Sequence, residues 1–379
     1  MFKRLFVFLL IVCILCGAAH AEERQLSCQS ALLMDFDSGS ILYELNPHER
    51  LALASVTKIM TMLLTMEEIE GGRLKYTDIV TASAYAKSMG GSTIFLDEGE
   101  EITVDDLLKG IAVSSGNDAC VAIAEHISGT CESFVERMNI RATELGMENT
   151  HFVNCNGLDA EGHYSTAYDI ALMSRELMKH EDIFKYTTIW MDSLRNGEFT
   201  LSNTNKLVRF YDGCTGLKTG STSKAGFCIS ATAKREGLHL IAVIMNAPTS
   251  KERQADASSL LNYGFAKYKS TLAIKAGERV EDIQVDRGTM ANVGLVCSGD
   301  VKVLCEKTAS AENKIEYKLP KRAVAPIKKG QKAGEALCYL DGKLVGKTDI
   351  LYAQDVSKIT FPYAYGKIID TWLGNKNQF

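Results

Sequence analysis

The run Ala-Leu-Leu-Met-Asp-Phe after Ser30, the polar Asp37-Ser38-Gly39-Ser40 and the Ile-Leu-Tyr before Glu44 predict a β-hairpin. The period then changes. Residues 56–69 carry Val56, Ile59, Met60, Leu63, Leu64, Met66 and Ile69 without Pro or Gly until Gly71-Gly72. Apolar positions around so much of the circumference predict a buried helix. Thr103 and Asp106 form a variant capping box before Leu107 and Leu108, and a second helix is expected over residues 118–127, in a mainly helical region. After about residue 214, stretches 225–233 and 238–245, joined across Arg235-Glu236-Gly237, predict two long antiparallel strands. A helix with Ala255, Leu260, Leu261 and Phe265 is expected from Ser250. Strands at both ends with helices between them imply one α+β domain whose early and late strands share a sheet.

From about residue 270 to 362 helical signals stop and short strand-like runs recur, at 301–304, 315–319 and a hairpin at 337–345 around Asp341-Gly342. This predicts a small all-β, sandwich-like domain. In the tail, Tyr365, Ile368, Ile369 and Trp372 fall at i, i+3, i+4 and i+7, the spacing of an amphipathic helix. At the other end, Lys3 and Arg4 precede an apolar run and small residues ending in Ala19-His20-Ala21, the pattern of a secretory signal peptide. The expected organisation is therefore 1–21 signal, 22–268 α+β domain, 269–362 β domain and 363–379 amphipathic tail, with the mature chain outside the cytoplasm.

The net charge of −5, from 42 basic and 47 acidic residues, gives no field for drawing in a polyanion, so no nucleic-acid partner is expected. Of 11 cysteines, Cys13 and Cys16 fall in the signal, and the remaining odd number leaves at least one thiol free or paired with another chain. The mature part has no Cys-x-x-Cys and no His pair at ligand spacing, so neither metal nor cofactor is expected. Cys120 and Cys228 read as small core residues.

Three polar motifs interrupt this pattern. Ser55-Val56-Thr57-Lys58 opens the buried helix, and a three-residue step puts Ser Oγ and Lys Nζ on one face. A serine hydroxyl is a weak nucleophile unless a base takes its proton, and a lysine kept neutral by burial can do so. The helix N-terminus offers N–H groups where negative charge develops in acyl transfer. The motif is short and recurs at Ser221 to Lys224, and a solvated cap explains either copy. Ser115-Gly116-Asn117 lies on a turn between apolar residues 111–113 and the next helix, where an N-cap would explain it as well. Lys218-Thr219-Gly220 follows Gly213-Cys214-Thr215-Gly216. A phosphate loop would need Gly before Lys218, where Leu217 stands, and a helix after it; a polar turn before a strand remains the plainer alternative.

In the order Ser-x-x-Lys, Ser-x-Asn, Lys-Thr-Gly, the three resemble the signature of penicillin-recognising serine enzymes. Within them the chain is similar to low-molecular-mass penicillin-binding proteins of the serine-type D-alanyl-D-alanine carboxypeptidase family. The resemblance extends through Asn154-x-Asn156-Gly157-Leu158, His163-Tyr164-Ser165-Thr166-Ala167-x-Asp169, Asn203-Thr204-Asn205-Lys206, Ser250-Lys251-Glu252-Arg253 and Leu260-Leu261-x-Tyr263-Gly264-Phe265. It implies a penicillin-binding/β-lactamase-like, transpeptidase-like catalytic domain, a β-rich domain and a tail helix on the outer face of the cytoplasmic membrane. Class A β-lactamases share the triplet but usually read Ser-Asp-Asn at the middle motif, carry a Glu for deacylation and end soon after the domain. A homologue that has lost catalysis and binds the wall is the third reading.

The resemblance further implies that Ser55 attacks the bond between the last two D-alanines of a peptidoglycan stem peptide, with Lys58 as proton acceptor. Ser115 would pass a proton toward the leaving amine and Asn117 would bond the substrate backbone. Lys218, Thr219 and Gly220 would bind the terminal carboxylate with help from Arg253, and the N–H groups of Ser55 and Ser221 would form the oxyanion hole. β-Lactams would be covalent inhibitors. Lys58 is expected to be buried beside Lys218, which would disfavour its ammonium. Asp169 either orients the site or simply caps a helix.

Overall fold

A computed structural model describes residues 25–308 and 313–373. The expected signal peptide, 1–21, and the last six residues of the tail lie outside the described residues.

The predicted hairpin forms as β1 (Ser30–Asp35) and β2 (Ile41–Leu45). A 3-10 turn, Ala54–Thr57, leads into α1 (Lys58–Glu70), which is buried around most of its circumference as its composition requires. The middle of the chain supplies α2 (Val104–Val113), α3 (Asn117–Ser128), α4 (Cys131–Glu144) and α5 (Ala167–Leu177). Helix α2 is capped by Thr103, whose Oγ1 accepts from Asp106 N at 3.1 Å. Two short hairpins, Ile79–Thr81 with Glu101–Thr103 and Met191–Leu194 with Phe199–Ser202, interrupt the helices. Each is too short to stand out in the sequence pattern.

Strands β3 (Cys214–Thr222), β4 (Gly226–Arg235) and β5 (Leu238–Ala247) then add to the first hairpin. The antiparallel sheet has the order β2-β1-β5-β4-β3, so the earliest and latest strands do share one sheet and β3 is its edge. Helix α6 (Ser250–Lys267), capped by Thr249, packs on one face through Ala257, Leu260, Leu261 and Phe265. The α1 to α5 region covers the other face, where Leu32, Met34, Ile241 and Val243 join a single core with Ile59, Leu63 and Ile170. The site therefore forms where α1 starts beneath the free edge of the sheet.

The rest of the described chain is β-rich. Its strands are β6 (Tyr268–Ile274), β7 (Arg279–Asp286), β8 (Asn292–Cys297), β9 (Val301–Glu306), β10 (Asn313–Lys318), β11 (Arg322–Val324), β12 (Lys332–Leu340) and β13 (Lys343–Tyr352). Six form a sheet ordered β10-β12-β13-β8-β7-β11, and β6 pairs with β9. The two sheets share a core that includes Ile274, Val303, Leu295 and Ile350. An ion pair, Lys302 Nζ to Asp37 at 3.2 Å, ties β9 back to the first hairpin. The closing helix, α7, runs Phe361–Trp372. The cysteines among the described residues are all free, and Cys120 and Cys228 are buried as expected of core residues.

Candidate active site

The three motifs come from separate parts of the chain and meet at one cavity of about 150 Å³. Ser55, Ser115, Thr219, Gly220, Ser221 and Arg253 line it. Ser92, Thr204, Phe227 and Ser250 complete the lining, and motif reading had assigned them no role there. A larger cleft of about 480 Å³ lies elsewhere, lined by Asp212, Lys234, Arg235 and Lys307 among others, and holds none of the motifs.

Ser55 sits on the 3-10 turn, one residue after Ala54, which adopts φ +49°. A side chain at that φ stores on the order of 1–3 kcal/mol of strain, and Ser115, at φ +64°, stores a comparable amount. The Ser115 hydroxyl is thus carried by, and the Ser55 hydroxyl stands directly after, backbone that only tight surroundings can hold. Two glycines make those surroundings possible. A Cβ at Gly220 would lie 2.7 Å from Ser55 N, so β3 can approach the serine turn only without a side chain there. A Cβ at Gly157 would lie 1.9 Å from Ala54 O, at a φ of +88°.

Lys58 is fully buried. Its Nζ lies 2.9 Å from Ser55 Oγ and 2.6 Å from Asn117 Oδ1, and also donates to the carbonyl of Asn156. As a neutral amine it would give its two hydrogens to these carbonyl oxygens and turn its lone pair to the serine hydroxyl. Burial pushes the Lys58 pKa down, against the pull of Cys120, Cys155 and Asp118. Burial was the expected cause and is the largest one, whereas the neighbouring charge of Lys218 is not among the causes that act on Lys58. Lys218 in turn lies well below the ordinary lysine value, through burial first and then the charges of Lys58 and Arg253.

Lys218 is buried on β3, and its one hydrogen-bond acceptor among the described residues is Thr219 O at 3.0 Å. Thr219 Oγ1 donates to Thr204 Oγ1 at 2.7 Å. Arg253, on α6, reaches Gly220 O and Cys228 O at 3.4 Å and Ser250 Oγ at 3.2 Å, while its buried Nε has no partner. Burial lowers its pKa to about 10. Neither Lys218 nor Arg253 has an ion-pair partner among the described residues, so an anion placed beside them would pair with Arg253 and favour the ammonium of Lys218 that burial disfavours.

Asn117 has a second task that the sequence did not announce. Its Oδ1 accepts from Lys58 and its Nδ2 donates to Gly90 O at 2.7 Å, which leaves one amide hydrogen for any other contact. That task is to hold the lysine. The neighbouring Asp118, which the sequence reading passed over, accepts from Ile94 N and Leu96 N at 3.0 Å and so fixes the stretch that carries Ser92. Asp169 lies apart from the motifs: it accepts from Asn149 N at 2.9 Å and Thr150 Oγ1 at 2.7 Å in the first turn of α5. It is no helix cap either: Thr166 caps α5, its Oγ1 accepting from Asp169 N at 3.1 Å, and the buried carboxylate of Asp169 ties down the loop at Asn149 and Thr150.

Comparison with known proteins gives the same answer as the geometry. Residues 17–249 match the family model for D-alanyl-D-alanine carboxypeptidase, and residues 268–358 the model for the C-terminal domain of penicillin-binding protein 5. The chain is 43% identical over 357 residues to D-alanyl-D-alanine carboxypeptidase DacF of Bacillus subtilis, covering 93% of this chain and 92% of that one. It superposes on penicillin-binding protein 5 of Haemophilus influenzae with a TM-score of 0.72 at 34% identity, covering 89% of this chain and all of the other. It is also similar to penicillin-binding protein D2 of Listeria monocytogenes in its ampicillin-bound form, at 30% identity and a TM-score of 0.57, over 64% of this chain and 99% of that one. With the ordered triplet converging on one cavity and the β domain following it, the chain belongs to the serine-type D-alanyl-D-alanine carboxypeptidase family.

Proposed function

We propose that the protein removes the terminal D-alanine from peptidoglycan stem peptides through an acyl-enzyme on Ser55. The observation that carries this reading is the 2.9 Å approach of Ser55 Oγ to a fully buried lysine amine whose other hydrogen bonds go to carbonyl oxygens. Lys58 takes the hydroxyl proton as Oγ attacks the penultimate D-alanine carbonyl. The N–H groups of Ser55 and Ser221 receive the oxyanion, and such a donor is worth about 3 kcal/mol in other hydrolases. Ser115 relays the proton to the departing amine. The substrate carboxylate is the anion that Lys218 and Arg253 lack, with Thr219 beside them and Gly220 giving the strand its close approach. Water, deprotonated in the same way, then cleaves the ester.

β-Lactams enter the same cavity and acylate Ser55. A β-lactamase would need a carboxylate to activate the deacylating water, and Asp169 is already committed to Asn149 and Thr150. General-base help of that kind is worth about 10²–10⁴-fold. The expected result is steady D-alanine release from a peptide ending in D-alanyl-D-alanine, alongside a penicillin adduct at Ser55 that persists for minutes by mass spectrometry. Rapid turnover of penicillin without peptide hydrolysis would make it a lactamase; the absence of both activities would make it a wall-binding homologue.

We further infer that the chain is exported by its first 21 residues and held at the outer face of the cytoplasmic membrane by residues 363–379. Support comes from α7, where Phe361, Tyr365, Ile368, Trp372 and the following Leu373 are exposed, Trp372 by 91%. No described helix is long and apolar enough to cross a membrane, so the tail would lie in the interface through apolar burial. Deleting residues 363–379 should move the enzyme to the soluble fraction with its D-alanine release unchanged. Continued membrane retention of the truncated protein would shift the anchor to an uncleaved N-terminus.

A further inference from the structure

We propose that His163 is a positioning residue for the acylation step, acting through Thr57 on the turn that carries Ser55 and Lys58. The assignment rests on the hydrolase reading above. It begins with the hydrogen-bond directions around the imidazole. Val153 N donates to His163 Nδ1 at 2.9 Å, so Nδ1 carries no proton. The single proton of the neutral ring is then on Nε2, which donates to Thr57 Oγ1 at 2.8 Å. Thr57 Oγ1 in turn donates to Ala54 O at 2.8 Å. All three bonds run in one direction, and the last fixes the carbonyl of the strained residue before Ser55.

The ring joins two walls of the site. One wall is the turn itself, with Ser55 and Thr57 preceding Lys58. The other begins at Val153 and continues to Asn156, whose carbonyl receives Lys58 Nζ, and to Gly157, whose backbone lies against Ala54 O. By bonding to Thr57 on one side and to Val153 on the other, His163 sets how far the amine and hydroxyl stand from the carbonyl that orients the amine. It is buried, packs its ring 5.9 Å from that of Phe152 and is absent from the cavity lining, so it does this without touching substrate. Burial holds its pKa down to about 4; the charges of His151 and Lys224 act in the same sense and Asp159 opposes them. The donor-acceptor order is therefore kept at neutral pH. A protonated ring would turn a second N–H against Val153 N–H.

Reacting groups must be held to within about 0.5 Å, and a misplacement of about 1 Å can cost a hundredfold in rate. His163→Leu keeps apolar bulk but supplies neither acceptor nor donor. His163→Gln restores one of each in a single side chain. For benzylpenicillin, the His163→Leu protein should show an acylation rate constant about tenfold to a hundredfold lower, with the dissociation constant of the pre-covalent complex within about twofold of wild type. His163→Gln should recover most of the lost rate. A folded His163→Leu protein that acylates at the wild-type rate, or a Gln variant as slow as the Leu variant, would overturn the assignment. If His163→Leu does not fold, Thr57→Val, which cuts the chain at its middle link by exchanging hydroxyl for methyl, is read by the same criteria. A wild-type protein that forms no adduct would sink the hydrolase reading first, which keeps the two failures apart.

Discussion

The Ser55→Ala protein is expected to release no D-alanine and to take no label from a fluorescent penicillin, while melting at the temperature of the wild type. The group removed is one half-buried hydroxyl on an otherwise buried turn, and the contacts with Gly220 and Gly157 are made by backbone, so the packing there survives its loss. In a serine hydrolase, loss of the nucleophile costs on the order of 10⁶ in kcat, with residual catalysis from the oxyanion hole and binding. The control is Ser221→Ala, in the second Ser-x-x-Lys. That copy lies on the sheet edge and its exposed serine has no lysine three residues on along one helix face. Its proposed part is played by a backbone N–H, which alanine keeps, so the adduct should still form. A covalent adduct on Ser55→Ala, or its loss on Ser221→Ala, would mean that the other serine is the nucleophile.

Lys58→Met should lower the acylation rate about 10²–10⁴-fold, the usual worth of a positioned general base. Methionine matches the length and apolar stem, so the core around α1 stays filled. Lys58→Arg should lose as much, because a guanidinium keeps its proton at any working pH and has no lone pair to offer. The wild-type pH profile carries the sign. Only the neutral amine accepts a proton, so acylation rises with pH as Lys58 deprotonates. Because burial lowers its pKa, that rise lies below the value of about 10.4 for an exposed lysine. A Lys58→Met protein acylated within tenfold of wild type would place the proton acceptor elsewhere.

Much of this molecule was legible in its sequence, and what was legible is what periodicity and turn chemistry encode. The first hairpin, the buried α1, the long β4 and β5, the tail helix and the α+β arrangement all followed from runs long enough to carry a period. The serine, lysine and Lys-Thr-Gly motifs followed from their order along the chain. Hidden features were those in which the partner is distant and the signal is a single residue. Nothing local announces that Asn117 is occupied by Lys58 and Gly90, or that Asp118 ties down the stretch at Ile94 and Leu96. The positive φ of Ala54 occurs where Gly157, far along the chain, lies against its carbonyl. Asp169 carried a motif-like setting but turned out to serve the loop at Asn149 and Thr150. His163 was visible within a motif, yet its link to Thr57 spans more than a hundred residues.

The place of β3 at the end of the sheet has a consequence for which bond is cut. An edge strand offers backbone groups at fixed intervals, and side chains alternate across it with a period of two. A peptide laid along it is therefore held in discrete registers, about 6.8 Å apart, because a one-residue slip would turn every side chain to the wrong face. In the carboxylate-binding role proposed for them, Lys218 and Arg253 would favour the register that ends in a free carboxylate, since any other sets two buried basic groups against an uncharged amide. Selection of the chain end then needs no side-chain pocket for the rest of the peptide. Lys218, midway along β3, and Arg253, reaching the strand from α6, would in this way measure the peptide from its terminus.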